Sequence, residues 1–185
     1  MLKLKEKYIK EVVPFMKSQF GYKNKLAVSK IEKVTLNMGF GRLISGKSTD
    51  ERKKIQDFIL NDLALISGRK PILKKAKKSV AGFKIRKGMP VAAQVTLRGK
   101  IMFDFLERLI HIALPRSRDF TGIDKKSFDE RGNLTVGVRE HICFPEVDPE
   151  NIKFIFSFEI TITTTTRNKK EGIALLKSMG FPIKE

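Results

Sequence analysis

Lys33-Val-Thr-Leu-Asn-Met-Gly39 is the most informative stretch for architecture, because apolar and polar residues alternate strictly along it. Its even-numbered positions are apolar, whereas Lys33, Thr35 and Asn37 are polar. Successive side chains of a β-strand point to opposite faces of the sheet, so this segment predicts a strand with one face buried. Strands of a parallel sheet that is covered on both sides are apolar throughout, so the pattern favours an antiparallel sheet with an open polar face.

Other segments show the same kind of periodicity. Further strands are predicted at 91–98, 134–138 and 154–163, where apolar residues occupy alternate positions. Apolar residues spaced by three or four positions predict four helices: 4–20 with a kink or interruption at Pro14, a helix capped by Asp50 and ending at Gly68, 102–113 stopped by Pro115, and 169–179. Together these elements predict an α+β fold, a mostly antiparallel sheet with helices on its apolar face.

Length alone allows one large domain or two small ones, and the lack of an internal repeat or low-complexity linker favours a single domain over residues 1–185, with a basic loop at about 76–88 and a long loop at about 115–131. Neither a membrane span nor an apolar signal-peptide core is evident, so a cytoplasmic location without membrane contact is expected. The single cysteine, Cys143, excludes an internal disulfide.

The charge is strongly positive and unevenly distributed. Lysine and arginine number 38 against 20 acidic residues, a formal charge of +18. No carboxylate occurs between Asp62 and Asp104, although that interval contains 11 basic residues. A region of one sign repels itself unless a polyanion neutralises it, so the pattern indicates a nucleic-acid partner. The segment Asp129–Glu159 is instead net acidic, by −4, and is expected to face solvent or a basic protein.

The basic loop combines cations with an aromatic residue. Phe83 and Ile85 alternate with Lys84, Arg86 and Lys87, after a small-residue bend near Gly82. Cations that hold phosphates around a ring that stacks on a base suit a structured RNA. The alternative is a solvated hairpin whose Phe83 packs into the core.

The predicted polar face offers hydrogen-bonding groups and no aromatic ring. Its members are Thr35, Asn37, Gln94, Thr96 and Arg98. RNA-binding sheets that stack single-stranded bases need aromatic residues, so this face fits folded, paired RNA better. A face that is merely hydrated is the alternative that spacing alone leaves open.

Gly41-Arg-Leu-Ile-Ser-Gly-Lys-Ser48 matches the phosphate-binding P-loop pattern and lies between a predicted strand and a predicted helix. In a small P-loop NTPase, Lys47 would reach phosphates and Ser48 would hold Mg²⁺. Such a site also needs a buried strand that ends in an aspartate to hold the metal, and no other segment has that pattern. We therefore keep the P-loop NTPase only as the rival interpretation. His141 and Cys143 lack a zinc spacing. No catalytic residue, metal or cofactor is therefore predicted.

Several strings of the sequence resemble the bacterial-type family of large-subunit ribosomal proteins that bind 5S rRNA, the fifth protein of that subunit. The matching strings are Lys33-Val-Thr-Leu-Asn-Met-Gly39, Ser67-Gly-Arg-Lys-Pro71, Lys75-Ala-Lys-Lys-Ser79, Phe83-Lys-Ile-Arg-Lys-Gly-Met-Pro90, Val95-Thr-Leu-Arg98, Ala113-Leu-Pro-Arg-Ser-Arg-Asp-Phe120, Ser127-Phe-Asp-Glu-Arg-Gly-Asn133 and Gly180-Phe-Pro182. They occur in the expected order over nearly the whole chain.

The resemblance implies a non-enzymatic ribosomal component of the central protuberance whose concave sheet holds 5S rRNA. It implies RNA recognition by Asn37 and Thr96. Arg69 stands where the family often has glutamine, and its guanidinium can still hold a phosphate. The residues expected to bind rRNA are Lys33, Thr35, Asn37, Gly39, Arg69, Lys70, Gln94, Thr96 and Arg98.

The resemblance also implies that the basic loop reaches the elbow of the peptidyl-site tRNA. The residues expected there are Lys77, Lys78, Phe83, Lys84, Arg86 and Lys87. A bridge to a basic protein of the small-subunit head is implied, with the acidic stretch 129–150 as its candidate, and large-subunit rRNA is a further expected partner. A free-standing RNA chaperone with little preference among RNAs is a third interpretation.

Overall fold

Five strands form one antiparallel sheet in the computed structural model, which describes residues 3–118, 120–148, 150 and 152–184. The strands are β1 (Ile31–Gly39), β2 (Ile72–Lys75), β3 (Pro90–Leu97), β4 (Leu134–Val138) and β5 (Phe158–Thr164). Their order across the sheet is β2-β3-β1-β5-β4, and every pair is antiparallel. The predicted α+β class is confirmed. Asp119 of the predicted 115–131 loop, Pro149 and Asn151 of the acidic segment, and residues 1, 2 and 185 lie outside the described residues.

Helices make up most of the remaining regular structure. Helix α1 runs through α-helical Leu4–Lys7, π-helical Tyr8–Val12 and α-helical Val13–Phe20. Next come α2 (Gly41–Ile44) and α3 (Thr49–Ser67), then α4, composed of Gly99–Arg108, a π turn at Leu109–Ala113 and Leu114–Arg116, and finally α5 (Lys169–Met179). Short 3₁₀ turns lie at Lys25–Ala27, Ala81–Phe83, Lys125–Ser127 and His141–Cys143. None of these helices is both long and apolar enough to cross a bilayer.

The core lies between the helices and the apolar face of the sheet. Leu36 of β1, Val95 of β3 and Ile160 of β5 are buried, as their alternation predicts. They belong to the same hydrophobic cluster as Leu63 of α3 and Phe105 of α4. The opposite face of the sheet carries no helix in the described structure, and its side chains are half-buried or exposed.

Two prolines lie inside helices of this structure, and both are accommodated in the same way. A kink or interruption was expected at Pro14, and the helix instead continues through this residue to Phe20, with the π turn Tyr8–Val12 before it. Pro115 was expected to stop α4, and this prediction is wrong because the helix continues to Arg116. Each proline falls early in an α-helical segment that follows a π turn. The extra residue of a π turn shifts the hydrogen-bond register, which accommodates the missing proline N–H.

The cap of α3 is also corrected. Ser48, and not Asp50, caps this helix: its Oγ accepts from the Glu51 N–H at 3.4 Å. The Glu51 carboxylate accepts in return from the Ser48 N–H at 3.0 Å. This reciprocal capping box satisfies two backbone donors that a free helix end leaves unpaired, and it places Asp50 inside the first turn.

The last strand is shorter than predicted. It begins at Phe158, so the prediction of a strand from 154 is wrong for 154–157. The reason is His141, whose backbone N–H donates to the Phe156 carbonyl at 3.2 Å and whose Nδ1 accepts from the Phe156 N–H at 3.3 Å. The rings of His141 and Phe156 stack with centroids 3.9 Å apart, which holds this segment against α3 instead of β1. The four-residue strand β2 was not predicted, because Ile72–Lys75 has no alternation to reveal it.

Candidate nucleic-acid interface

The register of the sheet brings four threonines into one row on its open face. Thr35 of β1 pairs with Thr96 of β3 on one side and with Thr161 of β5 on the other. Thr161 pairs in turn with Thr135 of β4. Side chains opposite one another in adjacent strands share a face at about 5 Å spacing, so the row presents four neighbouring hydroxyls.

A second row lies next to the first and crosses all five strands. Asn37 is opposite Gln94 on one side and Glu159 on the other. Gln94 pairs with Ile72 of β2, and Glu159 pairs with Gly137 of β4. Asn37 thus lies at the middle of the row, beside an amide and a carboxylate.

The polar groups of these rows are not used to stabilise the fold. The side chains of Thr35, Asn37, Gln94 and Thr96 make no hydrogen bond to any other described residue. They are half-buried or exposed, and no aromatic side chain belongs to either row. Because amides and hydroxyls carry both donors and acceptors, the rows can pair with base edges or with ribose hydroxyls.

Of the other predicted rRNA-binding residues, some lie on or next to the strands that carry the rows and some do not. Lys33 precedes Thr35 on the same face of β1, Gly39 ends that strand, and Arg98 follows β3 as the N-cap of α4. Arg69 and Lys70 do not join the rows, because they lie in the connection between α3 and β2.

Four residues of this face were not singled out from the sequence. Thr135, Thr161 and Glu159 enter it because β5 pairs with β1 and with β4. Arg139 lines a shallow depression of about 540 Å³ together with Asn37 and Glu159. The alternation within β5 was visible in the sequence, but its neighbours in the sheet were not.

Glu159 is the last residue of the net acidic segment Asp129–Glu159, which was expected to face solvent or a basic protein. Its side chain is exposed on the open face beside Asn37. The position of Glu159 follows from the alternation of side chains along β5, since its odd-numbered residues share the face of Thr35 and Asn37. A carboxylate repels phosphate and accepts hydrogen bonds from base amino and imino groups.

The basic loop is the connection between β2 and β3, and it has a defined path. Backbone hydrogen bonds join Ala76 to Met89 at 2.8 Å and Val80 to Ile85 at 2.9 Å. The Ser79 Oγ accepts from the Lys87 N–H at 2.9 Å. The predicted tRNA-binding cations are all exposed, and none forms an ion pair with a described residue: Lys77, Lys78, Lys84, Arg86 and Lys87.

Phe83 is at the tip of this loop and is 64% exposed. The alternative in which its ring packs into the core is therefore wrong. Its carbonyl accepts from the Ser45 Oγ at 3.2 Å, which fixes the backbone while the ring remains in solvent. An exposed ring among unpaired cations is the arrangement that base stacking with phosphate contacts requires.

Comparison with known proteins covers almost the whole chain. Residues 24–86 match the family model for ribosomal protein L5, and residues 90–183 match a second model, for the C-terminus of the same ribosomal protein family. The large ribosomal subunit protein uL5 of Francisella tularensis subsp. novicida (strain U112) is 51% identical over 184 residues, which is 100% of this chain and 99% of that protein. The uL5 of Francisella tularensis subsp. mediasiatica (strain FSC147) is 50% identical over the same lengths.

The chain belongs to the ribosomal protein L5 family.

Membership of the L5 family makes this protein a structural, non-enzymatic constituent of the large ribosomal subunit. It is an rRNA-binding protein of translation, located on the ribosome in the cytoplasm, as in bacteria. The resemblance drawn from the motifs is confirmed. The open face and the basic loop are accordingly interpreted as surfaces of an L5-family ribosomal protein.

The rival P-loop interpretation of Gly41–Ser48 is wrong for an L5-family chain, and the local geometry explains why. Residues Gly41–Ile44 form a helical turn, and the backbone N–H groups of Ile44, Ser45 and Lys47 donate to carbonyls of the segment itself and of the preceding Phe40. A P-loop instead directs such groups at phosphate. Ser48 caps α3, and its hydrogen bonds to Glu51 are the main cause of the lowered pKa of that carboxyl.

His141 and Asp62 form a buried pair that the sequence did not reveal. Nε2 of His141 lies 3.3 Å from Oδ2 of Asp62, and the imidazole is fully buried. Burial raises the pKa of Asp62 to about 6 and lowers the pKa of His141. Arg108 of α4 pairs with Glu146 near the same segment. The two pairs attach the acidic segment to the helical layer, and no group of three metal-ligating side chains occurs among the described residues.

Proposed function

We propose that this L5-family protein binds 5S rRNA in the central protuberance through the open face of its sheet. We also propose that the chain acts as one RNA-binding domain. Its basic loop contacts the peptidyl-site tRNA, and further cations contact large-subunit rRNA. The acidic stretch forms a bridge to a basic protein of the small-subunit head.

One observation carries the 5S assignment: two adjacent rows cross the open face without an aromatic ring, and their side chains are polar and unpartnered except at the ends of the second row, Ile72 and Gly137. Thr35, Asn37, Gln94 and Thr96 are held at fixed spacing by the β1–β3 register. Rigid polar rows suit the shallow minor groove and the edges of folded RNA, which display 2′-hydroxyls and base groups. They do not suit stacking on single strands.

The tRNA assignment is supported by the charge and exposure of the loop. Its cations have no acidic neighbour along the chain, because no carboxylate occurs between Asp62 and Asp104. Phe83 projects among them and is exposed. A loop of this kind can follow a curved phosphate backbone, such as that of a folded tRNA, without demanding a particular sequence.

The bridge assignment relies on fewer carboxylates than the sequence suggested. Glu146 is paired with Arg108, and Asp129 accepts from the Asn133 backbone and side chain at 2.7 Å. Glu130 and Glu150 remain exposed. These two are the carboxylates that we assign to contact with a basic protein.

The test is a competition experiment with purified full-length protein. Labelled 5S rRNA is displaced by unlabelled 5S rRNA or by structured RNAs of equal length, at several salt concentrations. We expect a strong preference for 5S rRNA, with the logarithm of affinity falling by about 0.9 per phosphate contact for each tenfold rise in salt. Equal displacement by all the RNAs would instead identify an RNA chaperone without a preferred partner and would refute the proposal.

A further inference from the structure

The segment Gly41–Ser48, whose sequence matches the P-loop pattern, packs against the basic loop. The Ser45 Oγ donates to the Phe83 carbonyl at 3.2 Å. Ile85 packs over Gly41, where an added Cβ would lie 3.3 Å from the Ile85 Cδ1. These contacts fix the loop relative to the start of α3, which begins immediately after Ser48.

A cleft of about 620 Å³ lies between the basic loop and the region of Gly46 and Arg52. Three cationic residues line it, one from the first turn of α3 and two from the loop: Arg52, Lys84 and Arg86. Ser79 also lines the cleft, and no carboxylate of the described chain does. The neighbouring Glu51 is held by its hydrogen bonds to Ser48, so it is not directed at Arg52.

Two features of these residues are unexplained by the fold alone. The Nε of Arg52 is buried and has no hydrogen-bond partner among the described residues. A buried donor without an acceptor is costly, so such a group points to a partner that supplies one. Lys84 has φ +52°, the only positive φ of a non-glycine residue in the described part of the chain. Such strained conformations are concentrated at binding sites.

We propose that this cleft binds a phosphodiester group of an RNA backbone, with Arg52, Lys84 and Arg86 as its cationic ligands. The Ser79 hydroxyl supplies a further donor, since its oxygen accepts from Lys87 and its own proton has no acceptor among the described residues. Guanidinium groups match phosphate oxygens with charge-assisted hydrogen bonds. The inference rests on the proposed contact of the loop with RNA, and it adds a residue of α3 to that contact.

The test uses the full-length chain and hexauridylate without terminal phosphates, followed by NMR of backbone amides. We expect saturable shifts at Gly46, Ser79 and Lys84. Arg52→Gln should weaken the binding about tenfold, the loss expected for a charge-assisted hydrogen bond. The matched control is Lys53→Gln, which removes the same charge from an exposed neighbour on α3 that does not line the cleft. Its affinity should change by less than about twofold.

Three results would overturn the inference: no saturable shift at these amides, an equal loss in both variants, or tighter binding of ATP than of the oligonucleotide. The last result would identify a site for a terminal nucleotide phosphate. Binding of 5S rRNA is measured in parallel and should be the same in Arg52→Gln and the parent. Failure of the parent to prefer 5S rRNA would count against the proposed function and leave the cleft result standing.

Discussion

Asn37 and Gln94 lie directly opposite one another in the β1–β3 pair, and neither side-chain amide is hydrogen-bonded within the described part of the chain. Each amide offers two donor hydrogens and an accepting oxygen. Their fixed separation is that of adjacent strands, about 5 Å, so two neighbouring groups of a rigid partner can be bound at once. The two amides thus contribute no side-chain hydrogen bond to the fold, and in the proposed function they recognise the RNA.

Removing positive charge from the basic loop should weaken tRNA binding and spare 5S rRNA binding, which distinguishes the function of the loop from that of the sheet. The variant carries glutamine at Lys77, Lys78, Lys84 and Lys87. We expect 5S rRNA affinity to change by less than about 1 kcal/mol, because the loop is not part of the face proposed to bind 5S rRNA and its charges act there only through screened attraction. Peptidyl-site tRNA should dissociate faster from ribosomes that carry the variant, because phosphate contacts are lost.

The control for this variant removes equal charge elsewhere, with glutamine at the exposed residues Lys3, Lys5, Lys10 and Lys17 of the N-terminal region. It should leave the dissociation rate of the tRNA unchanged. Loss of 5S rRNA binding in the loop variant would mean that the role of the loop is misassigned.

Phe83→Ala should leave the free energy of unfolding within about 0.5 kcal/mol of the parent, because its ring is 64% exposed. Phe105→Ala is the comparison, since Phe105 is fully buried. Its loss should cost about 3–5 kcal/mol. Urea denaturation measures both, and similar losses in the two variants would show that Phe83 belongs to the core.

Gly172→Ala should destabilise the protein although alanine favours helices. Gly172 lies in α5, where an added Cβ would be 2.4 Å from the Gly132 carbonyl oxygen. Helix propensity alone predicts a gain of about 1 kcal/mol, whereas the backbone clash predicts a loss of about 1–3 kcal/mol. The control is Gly82→Ala, where the added Cβ meets nothing within 4 Å. A more stable Gly172→Ala protein would refute the close approach of these two segments.

Asp62→Asn should stabilise the protein in a manner that depends on pH. Burial raises the folded-state pKa of Asp62 to about 6, above its ordinary value of 3.8. The folded state therefore binds this proton more tightly than the unfolded state, and its stabilising effect disappears as pH rises from about 4 to above 6. Asparagine remains neutral, so the variant should gain up to about 3 kcal/mol over the parent above pH 6 and nothing below pH 4.

Urea denaturation between pH 4 and 8 at constant ionic strength measures that difference. The contribution of His141, whose pKa is lowered by burial, opposes folding as pH falls below 6.5, but it is present in both proteins. Asp57→Asn, an exposed change on the same helix, should give no such dependence. A constant difference across the pH range would contradict the burial of the Asp62 charge.

Local periodicity was sufficient to predict most of the elements. The alternation around Leu36 and Val95 identified the two central strands, because their buried and open faces are set residue by residue. The first and last residues of the elements were harder to predict. Phe154 and Phe156 continue the alternation of β5 but pack around His141, a contact between distant parts of the chain.

The candidate site was predicted only in part for the same reason. Asn37 and Thr96 were found because they lie on polar faces of strongly alternating strands. Thr161 and Glu159 were missed, since the order of strands in the sheet places them beside β1. The Asp62–His141 pair joins α3 to a 3₁₀ turn, and no spacing in the sequence signals such a contact.

The affinity of Asn37→Ala and Thr96→Ala for 5S rRNA, measured by filter binding at one fixed salt concentration, tests the role of the open sheet face most directly. Each variant should bind about 1–3 kcal/mol more weakly than the parent, because its partner group on the RNA is left unpaired. The control Thr121→Ala, at an exposed threonine outside the sheet, should bind normally. If both sheet variants remain folded and bind 5S rRNA as tightly as the parent, the open face is not where this protein holds its RNA.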